Sequence, residues 1–328
     1  MANTRLSYID IAKGIGIVLV VCSHTEANLL MTWSLGLFVP IFYFCSGYTT
    51  STRSLNQPIT QYMKKRARKL LCPYIFFNIL LFLYFRRWSI NGLYGVLYSR
   101  YCLFPIESDN NYQFLIWGNY PMWFITSLLV SYFLYYFILY KNNKYYKVSI
   151  ILLYFCLTYI LSYLPILLPW SIDTAFLSAL IMYAGFNANK YDVISWQKYK
   201  IIVCVLGYSL LLYIAGDINF SIRQYGISFI NYFLLAILGC ISVLWCSKRM
   251  EATYIGKTFA LFGKHSLTIF CMEIMFIREI SIVYCKIIGT DNIGIIGGII
   301  GTLFSLIGGT ILSIILHKST VLKRIMFE

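Results

Sequence analysis

Ten apolar stretches alternate with short polar segments along this chain, and their lengths suit helices that cross a membrane. They lie at residues 11–32, 33–50, 70–88, 121–140, 148–164, 171–188, 200–216, 227–246, 259–277 and 293–316. A hydrocarbon core about 30 Å thick needs about 20 residues of α-helix to cross it. The pattern therefore predicts an all-α integral membrane protein, a polytopic bundle of about ten transmembrane helices. Stretch 33–50 is the weakest of the ten, because it contains Pro40 and Gly47.

The composition of the chain agrees with this pattern. Of its 328 residues, 59 % are hydrophobic and 12 % are charged, whereas soluble domains average about 25 % charged residues. These values exclude a soluble enzyme, a disordered chain and a disulfide-stapled secreted module. The first apolar stretch carries Lys13, follows directly on Asp10 and lacks a small-residue cleavage site, so we interpret it as a retained helix rather than a signal peptide. No repeat or low-complexity tract marks a boundary, and residues 1–328 are expected to form a single transmembrane domain.

The net charge of +15 is divided unevenly between the two sides of the predicted membrane. If the N-terminus is cytoplasmic and ten helices alternate, 21 of the 27 Lys and Arg residues fall in inside segments and 6 in outside segments. Cytoplasmic loops of membrane proteins are enriched in Lys and Arg, so this division predicts that both termini are cytoplasmic. It also accounts for the charge without nucleic acid as a partner. The longest connections are expected to be a basic cytoplasmic loop at 51–69 and an outer loop at 89–120.

The ten cysteines offer no motif for a metal or for redox chemistry. No CxxC pair occurs, and most of the cysteines lie inside apolar stretches. We interpret them as small apolar core residues and predict no metal site.

Three ionisable side chains, two in the first stretch and one directly before it, are the strongest candidates for catalysis. Lys13 and Asp10 precede His24 by eleven and fourteen residues, close to three and four helical turns, so the three side chains share one face. The helical rise separates Lys13 from His24 by about 16 Å along the axis. Ionisable groups inside a membrane are functional candidates by default, and an imidazole suits removal of a proton from a hydroxyl near neutral pH. The alternative for His24 alone is a hydrogen-bonded structural residue.

A run of basic residues occupies positions 64–69. Such a run either anchors the protein to anionic lipid headgroups or holds the phosphates of a polyphosphate ligand at the membrane surface. The candidates for phosphate binding are Arg66, Arg68, Lys65 and Lys69. The arginines rank above the lysines, because a planar guanidinium makes bidentate contacts with phosphate.

Polar and aromatic residues mark a candidate acceptor site near the outer side. Trp123, Asn119 and Tyr120 lie where the outer loop enters the fourth apolar stretch. They form either a platform for a sugar or interfacial anchors.

Glu273 is a carboxylate inside the ninth apolar stretch. It either forms a structural ion pair with Arg278 or, if it faces His24, holds the second nitrogen of that imidazole. In the second case it belongs to the acceptor site.

Residues 5–24, with a basic residue eleven positions before a histidine, and residues 38–48, with the sequence Ser46-Gly47-Tyr48, resemble the membrane-bound acyltransferase 3 family. Lys13 and His24 stand at the family's signature positions, with Lys where Arg is commoner. Segments 121–125, 169–175 and 262–267 are similar to the sugar O-acetylase branch of this family.

A second family signature is an Arg-x-x-Arg pair in the first cytoplasmic loop. Here either Arg66 with Lys69 or Lys65 with Arg68 resembles that pair. Many relatives also have a histidine shortly after the segment that resembles 262–267, where this chain has Met272 and Glu273.

The resemblance covers nearly the whole chain and implies a function. It implies an O-acyltransferase of the cell inner (plasma) membrane, in the minimal form that lacks the soluble hydrolase-like domain of larger relatives. The expected donor is acetyl-CoA, without a metal, and the expected acceptor is a hydroxyl of a cell-envelope glycan or its lipid-linked precursor. His24 would act as the general base or receive the acyl group itself. Lys13 and Asp10 would position its approach path and steer the anionic donor.

A transporter or flippase for an anionic envelope precursor is the alternative from a different class. It also needs many helices, buried charges and a basic vestibule. Matching Gly/Pro-interrupted halves, which are typical of transporters, do not occur in the sequence.

Overall fold

The computed structural model describes residues 6–30, 32–51, 57–86, 89–105, 120–320 and 322. Within these ranges, the side chains of Leu29, Leu30 and Tyr120 are not described. The predicted outer-site residue Asn119 lies outside the described residues.

The described residues form twelve α-helices and one two-stranded hairpin. The helices are α1 Ser7–Ser23, α2 Pro40–Tyr48, α3 Ile59–Phe85, α4 Ile90–Tyr98, α5 Trp123–Tyr140, α6 Lys144–Ser162, α7 Ile172–Lys190, α8 Lys198–Ala215, α9 Phe229–Met250, α10 Tyr254–Lys264, α11 Ser266–Ile288 and α12 Gly294–Lys318. The strands β1 (Ile218–Asn219) and β2 (Gln224–Tyr225) are antiparallel, with Ile218 opposite Tyr225. The structure thus belongs to the predicted all-α class.

Six of the described helices are long and apolar enough to cross a membrane, namely α3, α5, α6, α8, α9 and α12. Their outer surfaces are apolar, as the exposed residues Leu152 of α6 and Leu206 of α8 illustrate. A surface of this kind is stable against lipid and unstable against water. The protein is therefore a multi-pass membrane protein.

Three of the predicted stretches differ from the helices that form. The helix of stretch 11–32 ends at Ser23, with His24 as its C-cap, and stretch 33–50 is α-helical only over Pro40–Tyr48. Gly36 has a φ of +79°, which an α-helix does not permit, and a proline without an N–H starts a helix more readily than it continues one. Stretch 259–277 is divided at His265, which ends α10 and precedes α11.

Both of the long predicted loops contain helix. Helix α3 starts at Ile59, so the basic run 64–69 lies on a helix and not in a loop. Its 27 residues extend about 40 Å, longer than a hydrocarbon core of about 30 Å, so one end reaches beyond the membrane. The predicted outer loop contains α4, whose N-cap Ser89 accepts a hydrogen bond from the N–H of Gly92.

The helices share two ends, which we name the basic end and the cavity end. At the basic end, where α1 begins and residues 62–69 lie, the N–H of Tyr8 donates to Glu251 Oε1 at 3.0 Å, and the Tyr136 hydroxyl donates to the Gln57 carbonyl at 3.0 Å. The cavity end holds the end of α1 and the first residues of α2 and α5. Along α5 the two ends are about 20 Å apart, from Trp123 to Tyr136.

Two pairs of glycines let helices touch along their backbones. A Cβ at Gly14 would lie 1.9 Å from the Phe259 carbonyl oxygen, and one at Gly263 would lie 1.7 Å from the Asp10 carbonyl oxygen. Helices α1 and α10 are thereby in direct backbone contact, as small residues permit in membrane proteins. This contact holds the helix that carries His24.

The glycine of the Ser46-Gly47-Tyr48 segment has the same role in a second helix pair. A Cβ at Gly47 would lie 1.8 Å from the Met182 carbonyl oxygen, and one at Gly185 would lie 2.1 Å from the Phe44 carbonyl oxygen. Helices α2 and α7 therefore pack backbone against backbone. The short α2 is held in place in this way although it cannot cross a membrane by itself.

Candidate active site

His24 and Glu273 form a hydrogen-bonded pair at the cavity end. His24 Nδ1 lies 2.9 Å from Glu273 Oε1. The Glu273 side chain is fully buried, and the His24 side chain is 20 % exposed. A carboxylate accepts the Nδ1 proton, so the neutral imidazole has its lone pair on Nε2. Glu273 therefore orients the ring and selects the tautomer in which Nε2 is the base.

The local structure at the end of α1 exposes His24 on one side only. As the C-cap of α1, His24 has φ −99° and ψ 9°, and the chain turns there into a 3-10 helix at Glu26–Leu30. Glu273 is on the second turn of α11, which follows the break at His265. The bends at the end of α1 and before α11 thus define the position of the pair.

The predicted pairing of Glu273 with Arg278 does not form. The Arg278 guanidinium lies 5.9 Å and 5.1 Å from the ring centroids of Tyr84 and Phe85. Among the described residues, the ion-pair partner of Glu273 is His24. Of the two alternatives for Glu273, the structure shows the contact with His24 and not the ion pair with Arg278.

A cavity of about 180 Å³ opens beside His24. Its lining combines apolar side chains with a few polar ones. It includes Val20, Ser23, Val39, Pro40, Trp123, Asn219, Phe220, Ser221, Tyr232 and Phe270. A largely apolar cavity with few polar groups is typical of small-molecule sites in proteins.

Trp123 lies in this cavity with His24, as a substrate-binding role requires. It is 6 % exposed, and its ring packs against Phe124 and Phe220 at centroid distances of 6.3 and 6.2 Å. This burial differs from that of a membrane-interface anchor, whose ring reaches the headgroups. The predicted partner side chains of Asn119 and Tyr120 lie outside the described residues.

Asp10 and Lys13 lie on α1 toward the basic end and are both half-buried. They do not pair with each other, since the ion pairs of the described residues do not include this one, and Asp10 has other interactions. Neither residue lines the cavity beside His24. The structure therefore separates these two predicted residues from the His24–Glu273 pair along the axis of α1.

A buried cluster of Arg100, Asp173 and Arg223 supports the wall of the cavity. Asp173 Oδ1 accepts hydrogen bonds from an Arg100 Nη2 and from the Thr174 N–H, and its Oδ2 accepts one from the Leu168 N–H at 3.1 Å. Arg223 Nε lies 3.3 Å from Oδ2 as an ion pair. The side chains of both arginines are 1 % exposed and that of Asp173 is fully buried.

This cluster joins three connections of the cavity end. Arg100 also donates to the carbonyl of Ser221, and Ser221 Oγ donates to Asn219 Oδ1 at 2.6 Å. Arg223 donates to carbonyls that follow α6, among them those of Leu164 and Ile166 at 2.7 and 3.1 Å. Cations are stabilised at a helix C-terminus by its dipole. The cluster therefore holds the hairpin segment that carries the polar cavity residues.

This cluster was not predicted from the sequence. The charge pattern identifies Arg100 and Arg223 only as two of the outer cations, although both side chains are buried. The available signal was Asp173, an ionisable residue at the start of an apolar stretch.

The basic run forms an exposed cationic face on the first half of α3. Lys65, Arg68 and Lys69 are exposed and are spaced three and four residues apart, so they share one face. Arg66 is different: its guanidinium carbon lies 3.5 Å from the centroid of the Tyr62 ring, and an Nη donates to the Tyr62 carbonyl at 3.1 Å. Arg66 therefore packs on aromatic rings. Lys65, Arg68 and Lys69 form the exposed face.

The family model for an acyltransferase domain matches residues 6–318, from the residue before α1 to the last residue of α12. The chain belongs to the acyltransferase 3 family. The resemblance drawn from residues 5–24 and 38–48 is thereby confirmed. No curated protein matches the chain.

As a member of the acyltransferase 3 family, the protein is a membrane acyltransferase. The His24–Glu273 pair matches what acyl transfer to a hydroxyl requires, which is a base that has one nitrogen oriented by a carboxylate and the other directed to the acceptor. The exposed face of α3 matches what an anionic donor requires. In this protein the His24–Glu273 pair and the exposed cationic face of α3 lie at opposite ends of the helix bundle.

Proposed function

We propose that this protein is an O-acetyltransferase that moves the acetyl group of acetyl-CoA to a hydroxyl of a cell-envelope glycan or of its lipid-linked precursor. The observation that carries the proposal is the contact of 2.9 Å between His24 Nδ1 and Glu273 Oε1 beside a cavity. It is supported by membership in the acyltransferase 3 family. The assignment to the sugar O-acetylase branch rests on the sequence resemblance of segments 121–125, 169–175 and 262–267.

In the proposed orientation, the basic end lies on the cytoplasmic side of the plasma membrane. The chain crosses this membrane ten times. Of the segments predicted to be inside, the basic run 64–69 and the first residues of α1 and α3 lie at this end. Because Lys and Arg are retained on the cytoplasmic side, both termini are then cytoplasmic. The cavity end faces outward, toward the envelope glycan.

The donor binds at the basic end by its phosphates. Lys65, Arg68 and Lys69 contact the phosphates of coenzyme A, and Arg66 braces the helix from its position on Tyr62. The thioester is at the far end of the pantetheine arm, which enters the bundle to cover the distance of about 20 Å between the two ends. Lys13 and Asp10 lie along α1 on this path. The Lys13 ammonium attracts the anionic donor, and Asp10 helps to position the path.

The reaction takes place at His24. Nε2 removes the proton of the acceptor hydroxyl while the oxygen forms its bond to the acetyl carbonyl carbon. The carbon–sulfur bond then breaks, and coenzyme A leaves as a thiolate that takes a proton. Glu273 stabilises the imidazolium that forms. Trp123 packs against the acceptor, since sugar rings stack on aromatic faces.

The decisive experiment measures ester-linked acetyl groups on the surface glycan by mass spectrometry in a deletion strain. Wild type, His24→Ala and Thr158→Val are restored separately at equal levels in the membrane. Thr158 is buried in α6 and does not line the cavity, and its hydroxyl donates to the Tyr154 carbonyl, so this variant controls for the loss of a buried hydroxyl in a helix. Wild type and Thr158→Val are expected to restore acetylation, and His24→Ala is not.

Full acetylation with His24→Ala would overturn the proposed role of His24. A glycan whose mass never changes, but whose amount at the surface does, would support the transporter alternative instead. A covalent route, in which His24 itself receives the acetyl group, is tested by incubating the protein with acetyl-CoA alone. A gain of 42 Da on the peptide with His24, about the mass of one acetyl group, would favour that route over direct transfer.

A further inference from the structure

A row of buried hydroxyl groups lies on the inner face of α12, between the cavity end and the basic end. Each of these side chains is at most 5 % exposed. They are Thr302, Ser305, Thr310 and Ser313. The opposite face of α12 is apolar and exposed, as at Ile307 and Ile311. We name these four residues, together with Thr268 of α11, the hydroxyl seam.

Two contacts determine how α11 and α12 are aligned. His265 Nδ1 lies 2.8 Å from Ser313 Oγ. A Cβ at Gly309 would lie 2.8 Å from the Cα of Ile269. The helices are therefore antiparallel, and a step of four residues forward on α11 corresponds to a step of four residues back on α12.

This alignment places the seam beside the catalytic carboxylate. Counting from the two contacts puts Ser305 level with Glu273, and Thr310 level with Thr268. The section of the seam between the levels of Glu273 and His265 is thus about 12 Å long, measured along α11.

Three atoms along this row are buried without a hydrogen-bond partner among the described residues. They are Glu273 Oε2, Thr268 Oγ1 and Ser305 Oγ. Thr302 and Thr310 differ, because their hydroxyls donate to carbonyls of their own helix at 2.9 and 2.7 Å, the usual arrangement in membrane helices. A buried polar atom without a partner destabilises the fold and calls for a functional explanation.

The seam ends at the basic end in two histidines joined through Ser313. His317 Nδ1 lies 2.7 Å from the Ser313 carbonyl oxygen, and the rings of His265 and His317 are 5.9 Å apart. These are two of the three histidines of the chain, and the third is His24. Imidazole rings, which both donate and accept protons, therefore stand at both ends of the row.

We propose that the hydroxyl seam conducts the proton of the acceptor hydroxyl from Glu273 to the basic end. This inference rests on the proposed function, in which the hydroxyl loses its proton at one end while the thiolate leaves toward the other. His24 Nε2 takes the proton of the hydroxyl, and Glu273 stabilises the imidazolium until the ester has formed. The Nδ1 proton then passes to the Glu273 carboxylate. After the carboxyl group turns, water molecules that bridge Glu273 Oε2, Ser305 Oγ and Thr268 Oγ1 carry the proton to His265 and His317. His24 returns to its starting tautomer by exchanging its remaining proton from Nε2 to Nδ1 through water in the cavity. The thiolate takes one proton from the medium, so protons balance.

Variants that remove only the hydroxyls test this path. Thr268→Val keeps the shape of the side chain, and Ser305→Ala leaves nothing polar behind. Because both hydroxyls lack a partner, both variants are expected to keep the Tm of wild type or to raise it. The assay uses purified protein in vesicles of phosphatidylethanolamine and phosphatidylglycerol, with acetyl-CoA and the glycan that wild type acetylates, and measures released thiol.

We expect each variant to lower kcat about 10-fold while KM for acetyl-CoA stays unchanged. The solvent deuterium isotope effect on kcat is expected to rise. His265→Ala is also expected to lower kcat, and imidazole in the buffer is expected to restore part of its rate. Thr158→Val is the matched control and is expected to keep the kcat and isotope effect of wild type. Unchanged kcat and isotope effect in both seam variants, or an equal loss in the control, would overturn the proton path. If wild type did not acetylate the glycan, or if His24→Ala were fully active, the proposed function itself would be overturned, and not only the proton path.

Discussion

His24 and Glu273 are 249 positions apart in the chain, and their side chains meet at 2.9 Å. The contact joins the end of α1 to the second turn of α11 and places a fully buried carboxylate behind a partly exposed imidazole. A buried carboxylate at Nδ1 decides which nitrogen acts as the base.

Glu273→Gln is expected to lower kcat about 100-fold or more with little change in KM. The amide can still accept a hydrogen bond from Nδ1, but it has no charge to stabilise the imidazolium. Initial rates with acetyl-CoA in vesicles give both constants. Glu279→Gln is the control, because Glu279 is an exposed carboxylate on the same helix. A Glu273→Gln protein with the kcat of wild type would show that the carboxylate charge does not act in the reaction.

Replacing Lys65, Arg68 and Lys69 together by alanine is expected to raise KM for acetyl-CoA about 10-fold or more, because charge-assisted contacts to phosphate are lost. S-acetylpantetheine lacks the nucleotide phosphates, so the variant and wild type are expected to use it equally poorly. The double variant Lys144→Ala, Lys198→Ala removes two other exposed cations near the same end and is expected to leave KM unchanged. Equal KM for acetyl-CoA in the triple variant and wild type would place the donor elsewhere.

Asp173→Ala is expected to destabilise the protein by about 3–5 kcal/mol, since it leaves two buried arginines without their shared anion. Thermal unfolding in detergent checks this as a fall in Tm. Asp217→Ala removes an exposed carboxylate next to the same hairpin and is expected to stay within about 0.5 kcal/mol of wild type. If Asp173→Ala had the Tm of wild type, the cluster would not hold the cavity wall.

Gly47→Ala is expected to separate α2 from α7 and to lower Tm, because the added Cβ would lie 1.8 Å from a backbone oxygen that has no room to shift. Gly301→Ala is the matched substitution. Its Cβ would lie 3.5 Å from the nearest side-chain atom, an ordinary contact, so Tm is expected to stay unchanged or rise. Fluorescence-detected size exclusion of both variants after heating measures the difference. Equal thermal stability of the two would contradict the backbone contact.

The membrane class and the family were predictable from the sequence, but several helix ends were not. The segment after His24 is apolar enough to continue α1, yet Gly36 and Pro40 bend the chain before α2 begins. His265 divides a stretch that is continuous in hydropathy. Hydropathy predicts a loop for the basic run, although α3 extends through it. Apolar composition reports burial in lipid and does not report where a helix stops.

The candidate site was also predictable in part. His24 could be found from its spacing to Lys13, because helical periodicity is a local property. Trp123 was selected as a substrate residue, and it lies in the same cavity as His24. The choice between Arg278 and His24 as the partner of Glu273 stayed open, since both contacts are compatible with a carboxylate on one helix.

The sequence by itself determined that this chain is an apolar helical membrane protein of the acyltransferase 3 family with a histidine in its first apolar stretch. These properties depend on composition, periodicity and short motifs, which are local. Only the tertiary structure decided that Glu273 is the partner of His24, that Arg100 and Arg223 share Asp173, and that the unpartnered hydroxyls of Thr268 and Ser305 lie along one helix interface. Each of these contacts joins residues far apart in sequence. Such contacts depend on how helices pack and not on the pattern of any one of them.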